Sequence, residues 1–162
     1  MHTPCSNDQD NMRASYFSSQ IVRNGIEDSL STFQSPYPPT TANLNVNCTR
    51  QLVPHELFNW IAWTPGVSED PNANGYVSVR DNEEKKILSI AQDIMYVKAK
   101  GRITTSKHHA LSMTVRHRRG SSQLIQILNG LGHSTSQGTT LENDTALYLL
   151  FISTISWRSS RC

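Results

Sequence analysis

Hydrophobic and polar positions divide the chain into three stretches of different character. In residues 1–50, half of the positions are Ser, Thr, Asn, Gln or Pro, and single apolar residues are scattered without a sustained period. Such a stretch cannot bury enough apolar area to offset about 1–2 kcal/mol of backbone entropy per residue. We therefore predict a disordered polar N-terminal region over 1–50. A short helix around Ser19–Leu30 is the local exception, and Gly25 weakens it.

Residues 51–148 hold the periodic material and are predicted to form a helical domain or a fragment of one. Pro54 suits the first position of a helix that Thr64-Pro65-Gly66 ends. The predicted apolar face of this helix is Leu57, Trp60, Ile61 and Thr64, widened by Phe58 and Trp63. An acidic, Asn- and Gly-rich loop follows, and Tyr76–Val79 is predicted to form a short extended segment.

The next helix has the clearest start and stop signals. Asp81 and Glu84 have the spacing of a capping box, and Gly101 is placed to end the helix. Acidic residues near its start and basic residues near its end complement the helix dipole. The predicted buried face is Ile87, Ile90, Ala91, Ile94 and Val97, with Leu88 and Met95 beside it.

Two further helices meet at a glycine. A third helix is predicted to begin near Ser106 or Lys107 and to end at Gly120, and Ser121 then caps a fourth. The apolar positions of the fourth helix are Leu124, Ile125, Ile127, Leu128 and Leu131. The pair resembles a helical hairpin or a helix-turn-helix corner. With a weak last helix over 140–148, the predicted fold is mainly α, with four or five short helices in a small open bundle.

The C-terminal tail, residues 149–162, belongs to an apolar run from Ala146 to Trp157. A membrane-spanning helix needs about 20 apolar residues, so this run is too short to cross a bilayer. We expect either a non-native terminus or, as an alternative, a short tail-anchored membrane protein. A membrane partner is not predicted.

Composition agrees with a modest core inside polar flanks. Hydrophobic residues make up 36% of the chain and charged residues 17%, against about 45–50% and 25% in typical globular proteins. No signal peptide is visible, and Cys5, Cys48 and Cys162 are too few and too scattered for a disulfide framework. These features predict an intracellular protein, of the nucleus or the cytoplasm, with reduced thiols.

Charge distribution provides the main functional signal. No Asp or Glu occurs between Ile94 and Leu141. The same stretch holds the candidate nucleic-acid-binding residues Lys98, Lys100, Arg102, Lys107, Arg116, Arg118 and Arg119. A basic surface of this kind attracts phosphate backbones without reading their sequence. The alternative is a solvated basic face whose acidic complement lies elsewhere in the protein.

Other chemistries lack the residue patterns that they need. The histidines His108, His109, His117 and His133 are irregularly spaced and form no paired set, so we predict surface histidines and no metal site. The sequence contains no nucleophile elbow and no Gly-rich phosphate loop. Accordingly, no catalytic residue, cofactor or small-molecule substrate is predicted.

One segment resembles an enzyme motif. Leu131-Gly-His-Ser134 is similar to a segment of the tyrosine recombinases, which also carry a His-x-x-Arg set and a nucleophilic Tyr about nine residues after the Gly-His. Here Glu142 stands near that place, the next tyrosine is Tyr148, and His108 and His109 stand where an Arg is needed. The resemblance implies at most a degenerate remnant of a DNA strand-exchange enzyme.

A broader resemblance covers about residues 51–147. Segments such as Phe58–Thr64, Gly75–Val79, Met113–His117 and Leu141–Leu147 resemble a multi-copy family of animal proteins to which no activity is assigned. Its many genomic copies imply mobile-element ancestry. The resemblance therefore implies a non-catalytic module of a mobile-element-derived protein, here in a truncated member.

Overall fold

The computed structural model describes residues 6–34, 37–40 and 45–159, and these residues form helices and no strand. The mainly α prediction is confirmed, but the count of four or five helices is wrong, because the described residues form seven. In chain order these are α1 (Ser6–Thr32), α2 (Val46–Leu52), α3 (His55–Trp63), α4 (Asp81–Lys98), α5 (Ser106–Arg119), α6 (Ser122–Gly130) and α7 (Gln137–Ser159). They divide between two compact units, unit 1 (Met1–Phe33 and Leu52–Ala91) and unit 2 (Gln34–Gln51 and Gln92–Cys162).

Helix α1 lies within residues 1–50, the region predicted to be disordered. Its side chains from Asp8 to Ser19 are exposed on every face, in keeping with a sequence that offers no apolar stripe there. Its second half packs on α3, where Ile26 is buried and a Cβ added to Gly25 would lie 2.7 Å from Glu56 Oε2. Gly25, which weakens the helix by propensity, therefore leaves room for the side chain of Glu56 on α3. The partner helix is distant in sequence, so the local composition could not reveal it.

The core of unit 1 is built around α3. Four of its apolar residues are buried: Leu57, Phe58, Ile61 and Ala62. Trp60 and Trp63, which were assigned to the buried face, are 41% and 40% exposed, and that part of the prediction is wrong. The buried stripe is centred on Phe58 and Ile61, because Asn59 also faces inward.

Asn59 explains why the predicted extended segment is absent. Its side-chain amide donates to Gly75 O at 2.6 Å and accepts from Val77 N at 2.9 Å. One buried amide thus satisfies the backbone groups that a neighbouring strand would otherwise pair with. The Tyr76 hydroxyl also donates to Val53 O at 2.6 Å. The segment 76–79 therefore lies against α3 as an irregular loop, and the prediction of an extended strand-like segment is wrong.

Helix α4 ends as the sequence indicates but begins one residue earlier than predicted, because Arg80 O accepts from Glu84 N at 2.9 Å and Asp81 is the first helical residue. It starts at Asp81, and Gly101 follows its end with a φ of 70° and an N–H that donates to Tyr96 O at 3.1 Å. The buried face of α4 lies one position away from the predicted face, since Ile90 and Val97, which are predicted to be buried, are exposed. The buried residues are Ile87, Leu88, Ala91, Gln92 and Met95.

Unit 2 contains α5, α6 and α7 and, from Gln92 onward, the last part of α4. Helix α5 ends at Gly120, whose φ is 62°, and the Ser121 hydroxyl caps α6 by accepting from Leu124 N at 3.2 Å, as predicted. Of the apolar positions predicted for this helix, Ile125 is buried, while Leu124, Ile127 and Leu131 are exposed. Helix α7 continues through the predicted tail to Ser159, since no glycine or proline interrupts the sequence after Gly138.

Candidate nucleic-acid interface

A buried histidine fixes the start of α5. The His108 Nε2–H donates to Gly132 O at 2.9 Å, so Nδ1 carries the lone pair and accepts from the Thr105 hydroxyl at 2.7 Å. The ring also stacks on Tyr96, with the centroids 4.1 Å apart. Burial lowers the pKa of His108 below its ordinary value, so the ring is neutral at pH 7. This neutral ring joins α5 to the turn that follows α6.

A second buried histidine joins α5 to α7. The Asn143 amide nitrogen lies 3.0 Å from His109 Nδ1, and both side chains are buried. Burial lowers the pKa of His109, and the neighbouring His108 adds to that shift. The prediction that these histidines lie at the surface is therefore wrong, while His117 and His133 are about half exposed. Three small polar residues of the same unit, Ser112, Thr135 and Thr140, are also buried and hydrogen-bond to one another, and the Ser112 hydroxyl donates to His109 O at 3.0 Å.

The carboxylate of Asp93 pairs with Lys107, one of the cations predicted to contact phosphate. Its Oδ2 accepts from Lys107 Nζ at 2.6 Å. Its Oδ1 is buried without a hydrogen-bond partner among the described residues, and His108 Nε2 and His133 Nδ1 lie 3.6 and 3.7 Å from it. Lys107 therefore directs its charge toward a carboxylate of the protein.

A second carboxylate engages Arg116. Asp144 Oδ2 accepts from Arg116 Nε at 2.8 Å, and its Oδ1 lies 3.4 Å from His117 Nε2. Asp93 and Asp144 flank the stretch that lacks acidic residues, so the acidic complement comes from just outside it. Two of the seven predicted cations are thus held in ion pairs within unit 2.

The other five predicted cations are exposed. Arg118 and Arg119 lie at the C-terminal end of α5. Lys98 is the last residue of α4, and Lys100 and Arg102 lie in the turn between α4 and α5. Helix α5 has 14 residues and is therefore about 21 Å long at 1.5 Å per residue, with Arg118 and Arg119 at its C-terminal end and the other three cations before its N-terminal end. The first turn of α5 contains no acidic residue, and its last turn is entirely basic. We call Lys100, Arg102, Arg118 and Arg119 the cationic ends of α5.

The two units have opposite net charges. Unit 2 contains ten Lys and Arg and three Asp and Glu, which gives a formal charge of +7. Unit 1 contains five Lys and Arg and ten Asp and Glu, which gives a formal charge of −5. The small net charge of the whole chain, +2, therefore conceals a strongly basic part. Electrostatic attraction to polyanions depends on this local charge.

The segment that resembles tyrosine recombinases forms the turn between α6 and α7. His133 has the carboxylate of Asp93 beside it. Because a carboxylate repels a phosphate, this neighbour does not suit a strand-exchange site. Tyr148 lies on α7 with its side chain mostly exposed. Among the described residues, no group of His, Cys, Asp and Glu has the arrangement of a metal site.

The comparisons with known proteins add no relative. No family model, curated protein or solved structure matches the chain. The resemblances to the multi-copy family and to the tyrosine recombinases stay predictions. Across the part of the chain that the structure describes, no helix combines the length and the hydrophobicity needed to cross a bilayer.

Proposed function

We propose that unit 2 is a non-catalytic module that contacts the phosphate backbone of nucleic acid through the cationic ends of α5. The observation that carries this proposal is the division of the predicted cations. Lys107 and Arg116 are engaged by Asp93 and Asp144, while the four cations of the cationic ends are exposed in a unit of charge +7. A mobile-element parent, as the sequence resemblance implies, would use such a module to hold its nucleic acid.

The length of α5 suits a duplex. Double-stranded DNA carries one charge per about 1.7 Å of its axis, so about 21 Å of α5 corresponds to roughly a dozen phosphate charges. Lysine and arginine contacts to phosphate position a protein on the duplex but carry no sequence information. We therefore expect binding with little preference for sequence.

Two paired substitutions test the proposal. Arg118→Gln with Arg119→Gln removes two charges from one end of α5. Lys85→Gln with Lys86→Gln removes two charges from exposed positions of unit 1 and serves as the matched control. Binding of both variants to a labelled DNA duplex is measured by fluorescence anisotropy at fixed low salt.

We expect the α5 variant to lose about tenfold or more in affinity and the unit 1 variant to change by less than about twofold. Equal losses in the two variants would mean that net charge alone governs binding. In that case α5 is not the interface, and the proposal fails.

A further inference from the structure

A groove on unit 1 has features of a different binding site. It has a volume of about 370 Å³ and is lined by Trp63, Ser68, Glu69 and Pro71. We propose that it binds the cationic side chain of a lysine or arginine in a basic peptide. This function is separate from the phosphate contacts proposed for unit 2, and it uses none of the same residues.

The indole of Trp63 is held in place although it is 40% exposed. Its Nε1–H donates to Asp70 O at 3.1 Å, which ties the ring to the loop that contributes Ser68, Glu69 and Pro71 to the groove. The base of that loop is attached to α3, because Val67 N donates to Ala62 O at 2.9 Å. The Asp70 carboxylate accepts from Asn72 N at 3.0 Å and so orders the turn around Pro71. The aromatic face is therefore positioned before any ligand arrives.

The charge around the groove selects a cation. Glu69 is exposed and makes no ion pair among the described residues. Residues 51–79 contain Glu56, Glu69 and Asp70 and no lysine or arginine, within a unit of charge −5. A tryptophan face with a carboxylate beside it attracts an ammonium or guanidinium group by cation–π and ionic interactions together. The same carboxylate disfavours phosphate, so nucleic acid is not the ligand of this groove.

An open groove suits a long side chain that enters from a peptide at the surface. Lysine and arginine have an apolar stem that can lie along Trp63 and Pro71 while the charged end reaches Glu69. A single exposed cation site of this kind is weak, and we expect a Kd of roughly a millimolar for a short peptide.

Tryptophan fluorescence of the full chain tests this inference. Trp60→Phe with Trp157→Phe leaves Trp63 as the reporter, and Trp63→Phe with Trp157→Phe leaves the equally exposed Trp60 as the matched control. Each variant is titrated at constant ionic strength with the capped peptide Gly-Lys-Gly-Lys-Gly and with its Gln counterpart. A third variant adds Glu69→Gln to the Trp63 reporter.

We expect a saturable change for the Trp63 reporter with the lysine peptide and none for the Trp60 reporter. Glu69→Gln should weaken the Trp63 response by about two- to fivefold. No saturable change up to about tenfold above the expected Kd would overturn the inference. An equal response to the Gln peptide, or an equal response from Trp60, would also overturn it. None of these outcomes bears on DNA binding by unit 2.

Discussion

The Asp93 carboxylate accepts a hydrogen bond from Lys107 Nζ at 2.6 Å, although the two residues are 14 positions apart in sequence. One partner lies near the end of α4 and the other in the first turn of α5. The pair holds these two helices together in unit 2 and leaves the cationic ends of α5 to face solvent. Lys107 therefore serves the stability of the unit, while the cationic ends of α5 are available to a partner.

Replacing Asp93 by Asn should destabilise unit 2. Lys107 and Asp93 are 23% and 29% exposed, so the substitution leaves a partly buried ammonium without its counter-ion. We expect a loss of about 1–3 kcal/mol in the free energy of unfolding, measured in urea. Glu142→Gln, at an exposed position of α7 in the same unit, is the control and should change stability by less than about 0.5 kcal/mol. Equal stability of the two variants would show that the ion pair does not hold α4 to α5.

Acidification below pH 6.5 should destabilise the protein because His108 and His109 are buried and neutral. Burial lowers both folded-state pKa values, so the unfolded state binds more protons below its own pKa, near 6.5. Stability is thus complete above pH 6.5 and is lost as the pH falls, by at most about 1.4 kcal/mol per pH unit for each histidine.

Urea unfolding at pH 7.5, 6.5 and 5.5 measures this dependence. His109→Asn should reduce the slope between pH 6.5 and 5.5, whereas Gln123→Ala, at an exposed position of α6 without a titratable group, should leave it unchanged. A stability that does not vary over this range would contradict the assignment of two neutral buried rings.

Gly25 should show opposing effects of helix propensity and crowding. Alanine favours a helix by about 1 kcal/mol relative to glycine, but its Cβ would lie 2.7 Å from Glu56 Oε2. We expect Gly25→Ala to stabilise unit 1 by about 1 kcal/mol when Glu56 is also Ala and by clearly less when Glu56 is present. A double-mutant cycle in urea measures the difference. Equal effects in the two backgrounds would show that the Glu56 side chain does not crowd position 25.

Truncation after Leu147 should improve solubility. The second half of α7 exposes 45–63% of each of its large apolar side chains Tyr148, Leu149, Leu150, Phe151, Ile152 and Ile155. An uncharged apolar surface of this kind promotes aggregation. The soluble fraction of the two forms is compared after expression, with and without liposomes. A full chain that stays soluble and monomeric would contradict this prediction, and one that partitions into lipid would favour the membrane-anchor alternative.

Helix ends were the part of the fold that local sequence predicted best. Gly101, Gly120 and Ser121 act through neighbouring backbone groups, and their effects do not depend on distant parts of the chain. The buried faces were predicted less well. On α3, Asn59 faces inward because its side chain bonds to a loop 16 and 18 residues further along the chain. The periodicity of apolar residues within the helix carries no information about such distant partners.

The candidate site was predictable as a set of cations but not as a surface. The absence of acidic residues between Ile94 and Leu141 located the basic stretch. Which cations are engaged depends on Asp93 and Asp144, which lie outside that stretch and reach it only in the folded protein. The burial of His108 was hidden for the same reason, because Gly132, its partner, is 24 residues away.

The salt dependence of DNA binding tests the central claim most directly. If the four cations of the cationic ends each neutralise one phosphate, log K for a duplex should fall linearly with log of the salt concentration, with a slope of about −3.6. The affinities of the full chain for two duplexes of unrelated sequence, measured from low to physiological salt, should follow the same line. A slope near zero, or no binding at low salt, would contradict the account.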